Sequence, residues 1–500
     1  MELLLTNLAH GFGVALSLQN LSFALLGALI GTAIGVLPGI GPVATISLLL
    51  PITFGLPATT AIIMLAGIFY GAQYGGSTTA ILLNLPGEVS SVVTTLEGYK
   101  MARNGRAGAA LATAAIGSFF AGTVGTILVA ASGPLLTQVA LSFGPADYFS
   151  LMLLGLIIAS VLAQGSVIKA IGMVVFGVAL GLVGTDVQTG QQRFTFGIPE
   201  LSDGIGFVPV AMGMFGIAEI VLNLERPESR SVLTTKVGSL FLTRVEFRRA
   251  TPAVLRGTLV GSFLGILPGG GAALAAFGSY MMERKVSKGR DQFGFGAIEG
   301  VAGPEAANNA AAQTSFIPLL TLGIPSNAVM ALMVGALIIQ GIQPGPRMVE
   351  AQPDLFWGLI ASMWIGNLML LVINLPLIGM WVKLLQVPYK YLYPAILVFC
   401  SIGVYSLNNN VFDVYMTVLF SVFGYMCSKL KLEAAPLLIG FVLGPMMEEH
   451  LRRAMLLSRG DPMVFLQRPI SATMLAIGTL ALLAMALPAL RKGKDKAMAE

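Results

Sequence analysis

The chain has 500 residues, of which 55% are hydrophobic and only 11% are charged. Soluble globular domains carry about 25% charged residues, so this chain cannot cover a water-facing surface, and we predict an all-α polytopic membrane protein. The composition excludes a disordered chain, a secreted disulfide scaffold and a cytosolic enzyme. The net charge of +5 comes from basic residues in short loops between apolar stretches. This pattern indicates membrane topology and not nucleic-acid binding.

The residues that usually form metal and catalytic sites are scarce. His10 and His450 lie near opposite ends of the chain, and Cys400 and Cys427 both lie in apolar segments where we expect them to pack as small hydrophobes. The sequence contains no HExxH or CxxC motif. We therefore predict no catalytic residues, no organic cofactor and no resident metal. No Lys or Arg precedes Lys100, so the N-terminus is not expected to be a cleaved leader.

The sequence contains two similar halves. Four glycines spaced by four precede a Leu-Pro-Gly-x-Gly element in each half, and every equivalent pair is 230 residues apart. The glycines are Gly27, Gly31, Gly35 and Gly39 in the first half and Gly257, Gly261, Gly265 and Gly269 in the second. A weaker match relates the polar stretch 73–87 to the polar stretch 308–327. We predict a first transport repeat at 1–223, a basic cytoplasmic linker at 224–256, a second repeat at 257–490 and a basic cytoplasmic tail at 491–500.

The distribution of charge indicates the orientation of each half of the chain in the membrane. Residues 257–282 lie between the basic linker and a basic segment at 283–291, and Pro268 with three glycines interrupts them. Two full spans need about 20 apolar residues each, so this segment is predicted to return to the side it left. The matching segment near 21–51 lacks basic flanks, whereas the loop at 100–106 is basic. We therefore predict about 12 spans in two inverted-topology repeats, each with a re-entrant Leu-Pro-Gly-x-Gly helical hairpin.

Inverted repeats with broken helices are typical of secondary transporters. Irregular backbone survives in a membrane only where it is buried in protein or lines a polar cavity. Half-helix N-termini suit a carboxylate, and half-helix C-termini suit Na⁺, which could bind at the helix breaks. The predicted substrate-binding residues are Gly39, Gly41, Gln73, Ser77, Thr78, Thr79, Asn84, Gly269, Gly271, Asn308, Asn309, Gln313, Thr314, Ser315, Ser326 and Asn327. Glu305, an intramembrane carboxylate, is the candidate for ion coupling.

Alternative interpretations stay open for several of these residues. For Gly27, Gly31, Gly257 and Gly261 we favour a close helix-packing face over a site. Serine and threonine in membrane helices often bond their own backbone, and Glu305 could instead sit at a membrane edge. Glu88 and Glu97 are interpreted as approaching the basic loop at Lys100.

At these motifs the sequence resembles the large permease subunit (TctA family) of tripartite tricarboxylate transporters. The resemblance includes GVLPGIGP at 35–42 and PEAANNAAAQTSF at 304–316, within the stretches 31–51, 70–108, 265–285 and 304–346. It implies ion-gradient-driven uptake of an organic di- or tricarboxylate across the bacterial inner membrane, with Na⁺ or H⁺ as coupling ion. It also implies two partners, a small four-span membrane subunit and a periplasmic solute-binding protein. The alternatives are a stand-alone anion carrier, a channel and a membrane-embedded enzyme.

Overall fold

The computed structural model describes residues 2–37, 41–163, 166–186, 188–225, 238–267, 271–384 and 392–486. Within these ranges the backbone is mostly helical, because a backbone in hydrocarbon must pair its N–H and C=O groups internally. The helices up to residue 225 are α1 (Glu2–Ala15), α2 (Leu18–Val36), α3 (Pro42–Thr53), α4 (Ala58–Leu83), α5 (Val92–Met101), α6 (Ala107–Leu141), α7 (Pro145–Leu162), α8 (Val167–Gly181), α9 (Phe207–Ala211) and α10 (Ala218–Glu225).

The second part of the chain is equally helical. Its helices are α11 (Arg244–Ile266), α12 (Gly271–Val286), α13 (Glu299–Thr314), α14 (Phe316–Leu322), α15 (Ala328–Ile339), α16 (Met348–Ala351), α17 (Pro353–Asn374), α18 (Ile378–Leu384), α19 (Leu392–Asn408), α20 (Val411–Lys429), α21 (Ala434–Leu457), α22 (Val464–Gln467) and α23 (Pro469–Ala486). Two short strands, β1 (Gly184–Thr185) and β2 (Gln192–Arg193), pair antiparallel with Gly184 opposite Arg193.

Six helical segments in the described ranges are long and apolar enough to cross a membrane: Leu18–Val36, Val89–Gly133, Pro145–Leu162, Phe207–Glu225, Pro353–Asn374 and Val411–Lys429. Four shorter apolar helices accompany them, at Pro42–Thr53, Val167–Gly181, Ala328–Ile339 and Pro469–Ala484. The chain is therefore an all-α polytopic membrane protein, as predicted from composition. The count of about 12 spans and the inverted orientation of the repeats stay predictions.

Each Leu-Pro-Gly-x-Gly element separates two helices. In the first half α2 ends at Val36 and α3 begins at Pro42, and in the second α11 ends at Ile266 and α12 begins at Gly271. Residues 38–40 and 268–270 lie outside the described residues, and these include the predicted site residues Gly39 and Gly269. Proline and glycine interrupt helices, so both breaks fall where the sequence places them.

The four-spaced glycines are packing residues. A Cβ built on Gly27, Gly31 or Gly35 would lie within 2.4 Å of a backbone oxygen of α4, and one built on Gly257, Gly261 or Gly265 within 2.5 Å of a backbone oxygen of α13. Only glycine permits so close an approach of two helices. The interpretation of Gly27, Gly31, Gly257 and Gly261 as a packing face is confirmed, and α2 packs on α4 as α11 packs on α13.

Two bidentate ion pairs link α11 to α12 and α13. Arg249 binds Glu299 of α13 at 2.7 Å, and Arg256 binds Glu283 of α12 at 2.6 Å. The Glu299 and Glu283 side chains are only 4% and 0% exposed. The predicted linker is described only up to Glu225 and from residue 238 onward, and the predicted tail at 491–500 lies outside the described residues.

We expect Arg256→Met to destabilise the protein by about 3 kcal/mol, because it leaves the buried Glu283 carboxylate without its cation. This loss of stability lies at the lower end of the range for a broken buried ion pair, because the Arg256 side chain is 31% exposed. Thermal melting of the detergent-solubilised protein measures this change. Arg284→Met, which removes an exposed charge from the same hairpin, is the control and should melt like the unmodified protein.

Candidate transport site

Helices α4 and α13 form the centre of the candidate site. Every residue of α13 is buried, as is every residue of α4 from Thr60 to Leu83. One helix comes from each half of the chain, and together they carry most of the predicted site residues. Burial inside protein explains how such polar helices lie within a membrane protein, since their amide and hydroxyl groups would be costly to expose to lipid.

Glu305 on α13 lies at the contact between the two halves and is only 1% exposed. Ser77 of α4 donates a hydrogen bond to Glu305 Oε2 at 2.6 Å, and the Thr94 hydroxyl of α5 donates to Glu305 Oε1. None of the ion pairs among the described residues includes Glu305. Glu305 is thus buried in protein where α13 meets α4 and α5, and its depth in the membrane stays a prediction.

A second carboxylate extends this arrangement. The Ser90 hydroxyl lies within hydrogen-bond distance of Gln73 Oε1, at 3.0 Å, and of the Glu88 carboxylate. Asn308 Nδ2 of α13 donates to Glu88 Oε1 at 3.4 Å. We call Gln73, Ser77, Glu88, Ser90, Thr94, Glu305 and Asn308 the polar cluster. It is built almost wholly from oxygen atoms and contains no basic side chain.

Two buried side-chain oxygens of α13 lack a hydrogen-bond donor among the described residues. These are Asn308 Oδ1 and Gln313 Oε1. An unpaired buried oxygen is costly, so each is a free acceptor for a bound ion or substrate group. Asn309 is satisfied differently, because its Nδ2 donates to Ser118 Oγ of α6 at 2.6 Å.

A small pocket opens beside Ser77. Its lining combines polar groups from α4, α6 and α17 with alanines of α6. Predicted residues Ser77 and Thr78 are part of this lining, and Tyr74, Ser118 and Asn374 contribute further polar groups. The pocket, about 10 Å³ in volume, leaves room for about one water molecule beside Ser77 of the polar cluster.

The described glycines of the two Leu-Pro-Gly-x-Gly elements differ in their contacts. Gly41 is the N-cap residue of α3 and provides no side-chain hydrogen bond to that helix, and a Cβ built on it would meet no atom within 4 Å. Gly271 begins α12 with a φ of +57° and lies against Asn327, whose Cβ would be 3.6 Å from an added Cβ. The N-termini of α3 and α12 thus lack a described side-chain cap.

The second polar stretch folds back on itself near the second tip. Asn327 Oδ1 caps α15 by accepting from the Met330 N–H at 3.0 Å, and its Nδ2 donates to Ser315 Oγ at 3.2 Å. Ser326 is fully buried and lies next to both groups. Gly271, Ser315, Ser326 and Asn327 are therefore brought together, as the prediction of a common site requires.

Other predicted site residues have contacts of a structural kind. Thr79 donates to the Val36 carbonyl at 2.7 Å and so satisfies the end of α2. Thr314 donates to the Ala310 carbonyl of its own helix at 3.0 Å. Asn84 is exposed and ends α4 in the left-handed conformation, with a φ of 58°. These three residues shape the helix ends around the site and do not point to a ligand.

Sequence reasoning missed several members of the site. Ser90 and Thr94 lie outside both repeat motifs, and Glu88 was assigned to the basic loop at Lys100. The structure differs for Glu88, which lies beside Ser90 and Asn308. Glu97 does lie near Lys100, because Glu97 accepts from the Gly294 N–H and Lys100 donates to the Gly294 carbonyl. The available signal was a hydroxyl-rich segment, 90–95, directly after the helix break at Pro86.

Comparison with known proteins agrees with this architecture. Residues 21–439 match the tripartite tricarboxylate transporter TctA family. A 52.8 kDa Agrobacterium vitis protein encoded in the TAR-I ttuC′ 3′ region is 59% identical over 497 residues, which cover 99% of each chain. A second A. vitis protein, from the TAR-II ttuC′ 3′ region, is 60% identical over 240 residues, or 48% of this chain and 99% of its own. No solved structure matches. A match over most of the chain, joined with a buried polar site between paired helices, shows that this multi-pass membrane protein belongs to the tripartite tricarboxylate transporter TctA family.

Proposed function

We propose that the chain is the permease of an ion-gradient-driven uptake system for an organic di- or tricarboxylate in the bacterial inner membrane. It receives its substrate from a periplasmic solute-binding protein and works with a small four-span membrane subunit. The family supports the substrate class and the existence of partner subunits. The observation that carries the mechanism is the polar cluster, which joins one buried helix from each half around Glu305.

The coupling ion binds at Glu305 in this proposal. Buried Glu283 and Glu299 are each neutralised by an arginine, whereas the described partners of Glu305 are two hydroxyl groups. A charge inside the membrane needs a counter-charge or a proton. H⁺ on the carboxylate or Na⁺ among the surrounding oxygens supplies it, and hard cations prefer such oxygen ligands. The free Asn308 Oδ1 is a further ligand for Na⁺.

The carboxylate groups of the substrate bind at the hairpin tips. No lysine or arginine is among the fully buried residues of the described chain, so a buried carboxylate clamp of arginines is not available there. Helix N-termini carry free N–H groups and a partial positive charge, and they bind carboxylates without a basic side chain. The N-termini of α3 and α12 and the amides of Gln313 and Asn327 are the proposed contacts.

Uptake of a labelled tricarboxylate into proteoliposomes tests the function. The vesicles contain this chain with its small membrane subunit, and a Na⁺ or H⁺ gradient is imposed with and without the solute-binding protein. We expect accumulation only when the binding protein and one gradient are both present. Accumulation without the binding protein would instead support a stand-alone carrier, and flux that only dissipates a gradient would support a channel.

A substitution at the first tip tests the anion site. Gly41→Asp places a carboxylate at the N-cap of α3, where the site has room for a side chain and the backbone is extended, with a φ of −78°. Aspartate is a favourable N-cap residue, so the fold should be retained, but its charge should repel the substrate and raise the KM at least about tenfold. Gly41→Asn caps the helix equally well without the charge and should change the KM much less. Equal effects of the two variants would contradict an anion site at this tip.

A further inference from the structure

An apolar groove lies between α6 and the first turns of α11, and its lining includes no residue of the polar cluster. It has a volume of about 180 Å³ and is lined by Ile116, Gly117 and Phe120 of α6 and by Phe247, Thr251 and Leu255 of α11. Thr251 donates its hydroxyl proton to the Phe247 carbonyl of its own helix. The groove therefore offers an apolar surface that needs no water.

Two arginines lie on α11 next to the residues that line the groove. Arg244, Arg248, Thr251 and Leu255 follow one another at spacings of four, three and four residues, which places them on one stripe of α11. Arg244 and Arg248 are exposed, and no ion pair among the described residues includes either of them. The neighbouring Arg106 is instead held by Glu246. Two positive charges thus lie beside the apolar groove where α11 begins.

We propose that this groove binds an anionic phospholipid, with one acyl chain between α6 and α11 and the phosphate at Arg244 and Arg248. Basic pockets between transmembrane helices bind anionic head groups in this way. The adjoining face of α11 suits contact with lipid, since the Leu259 and Phe263 side chains are 72% and 66% exposed. The apolar lining of the groove suits an acyl chain.

Lipid binding to the purified full chain, measured by native mass spectrometry, tests the proposal. The probes are phosphatidylglycerol and phosphatidylcholine with identical acyl chains, and free glycerol phosphate. We expect selective retention of phosphatidylglycerol, with binding weakened about 30-fold in the Arg244→Ala, Arg248→Ala double variant. Thr251→Trp, which fills the groove from an exposed position, should also abolish retention.

The matched control removes two exposed charges at and just after the C-terminal end of α12, in Lys285→Ala, Lys288→Ala. It should bind phosphatidylglycerol normally. Equal retention of both lipids, equal losses in the two double variants, or saturable binding of glycerol phosphate alone would overturn the proposal. So would loss of the small membrane subunit from the Thr251→Trp complex with unchanged lipid retention, because the groove would then belong to that subunit.

Discussion

Replacing Glu305 by glutamine is expected to abolish ion-driven accumulation of substrate while the protein still folds. Glutamine keeps one oxygen that can accept one of the hydrogen bonds from Ser77 and Thr94, and its NH2 group can donate to the other hydroxyl oxygen. It can neither be protonated nor balance a cation. A cation in the site would then keep only the Glu88 carboxylate of the polar cluster. Its affinity should fall by up to about 100-fold, since an unpaired charge in the membrane costs about 2.5–3.5 kcal/mol. Uptake into proteoliposomes as a function of the imposed gradient measures the loss.

Glu299→Gln is the matched control. Glu299 lies six residues before Glu305 on the same helix and is also buried, but it pairs with Arg249. This variant should lower the melting temperature and leave the dependence on the gradient intact. Unchanged accumulation by Glu305→Gln, or equal loss of coupling in both variants, would contradict a role of Glu305 in ion coupling.

Asn308 distinguishes between the two candidate ions. Its Oδ1 has no hydrogen-bond donor among the described residues, so it is available to Na⁺, whereas a proton on Glu305 needs no such ligand. If Na⁺ is the coupling ion, Asn308→Ala should raise the Na⁺ concentration required for half-maximal uptake. A Na⁺-driven system in which this concentration is unchanged would exclude Asn308 as a ligand.

The parts of the fold that could be predicted are those that a short stretch of sequence determines. Leu37 and Leu267 precede breaks that proline and glycine enforce by their own backbone chemistry, and both breaks appear in the structure. Composition likewise predicted the membrane class. The span count was harder to predict, because α13 is only 16 residues long and rich in amides. Its burial depends on α4, α6 and α11 packing around it.

The candidate site depends on contacts that local sequence does not encode. Ser77 and Thr94 reach Glu305 across 228 and 211 residues of chain. Glu305 could be singled out because a carboxylate within a membrane segment is costly. Hydroxyls such as Thr94 give no comparable signal, since most of them bond their own helix. The chain turns sharply after Pro86, and this turn brings Thr94 into the site. Only the folded structure shows the turn.

The four-spaced glycines of α2 and α11 predict a large loss of stability when a single methyl group is added. We expect Gly31→Ala and Gly261→Ala each to destabilise the protein by about 3 kcal/mol. The added methyl group would lie 2.3 Å from the Ile68 carbonyl oxygen in the first case and 2.1 Å from the Ala307 carbonyl oxygen in the second. These are backbone atoms, so whole helices must move. The higher helix propensity of alanine returns at most about 1 kcal/mol.

Thermal melting of both variants in detergent tests whether the two sets of glycines are equivalent. Gly172→Ala in α8 is the control, because an added Cβ there meets no atom within 4 Å, and it should be neutral or slightly stabilising. Similar losses at positions 31 and 261 would support two copies of one packing unit, each supporting a hairpin tip. If both variants instead melt like Gly172→Ala, the two helix pairs can separate at no cost. The four-spaced glycines would then not be what holds the Leu-Pro-Gly-x-Gly elements in place.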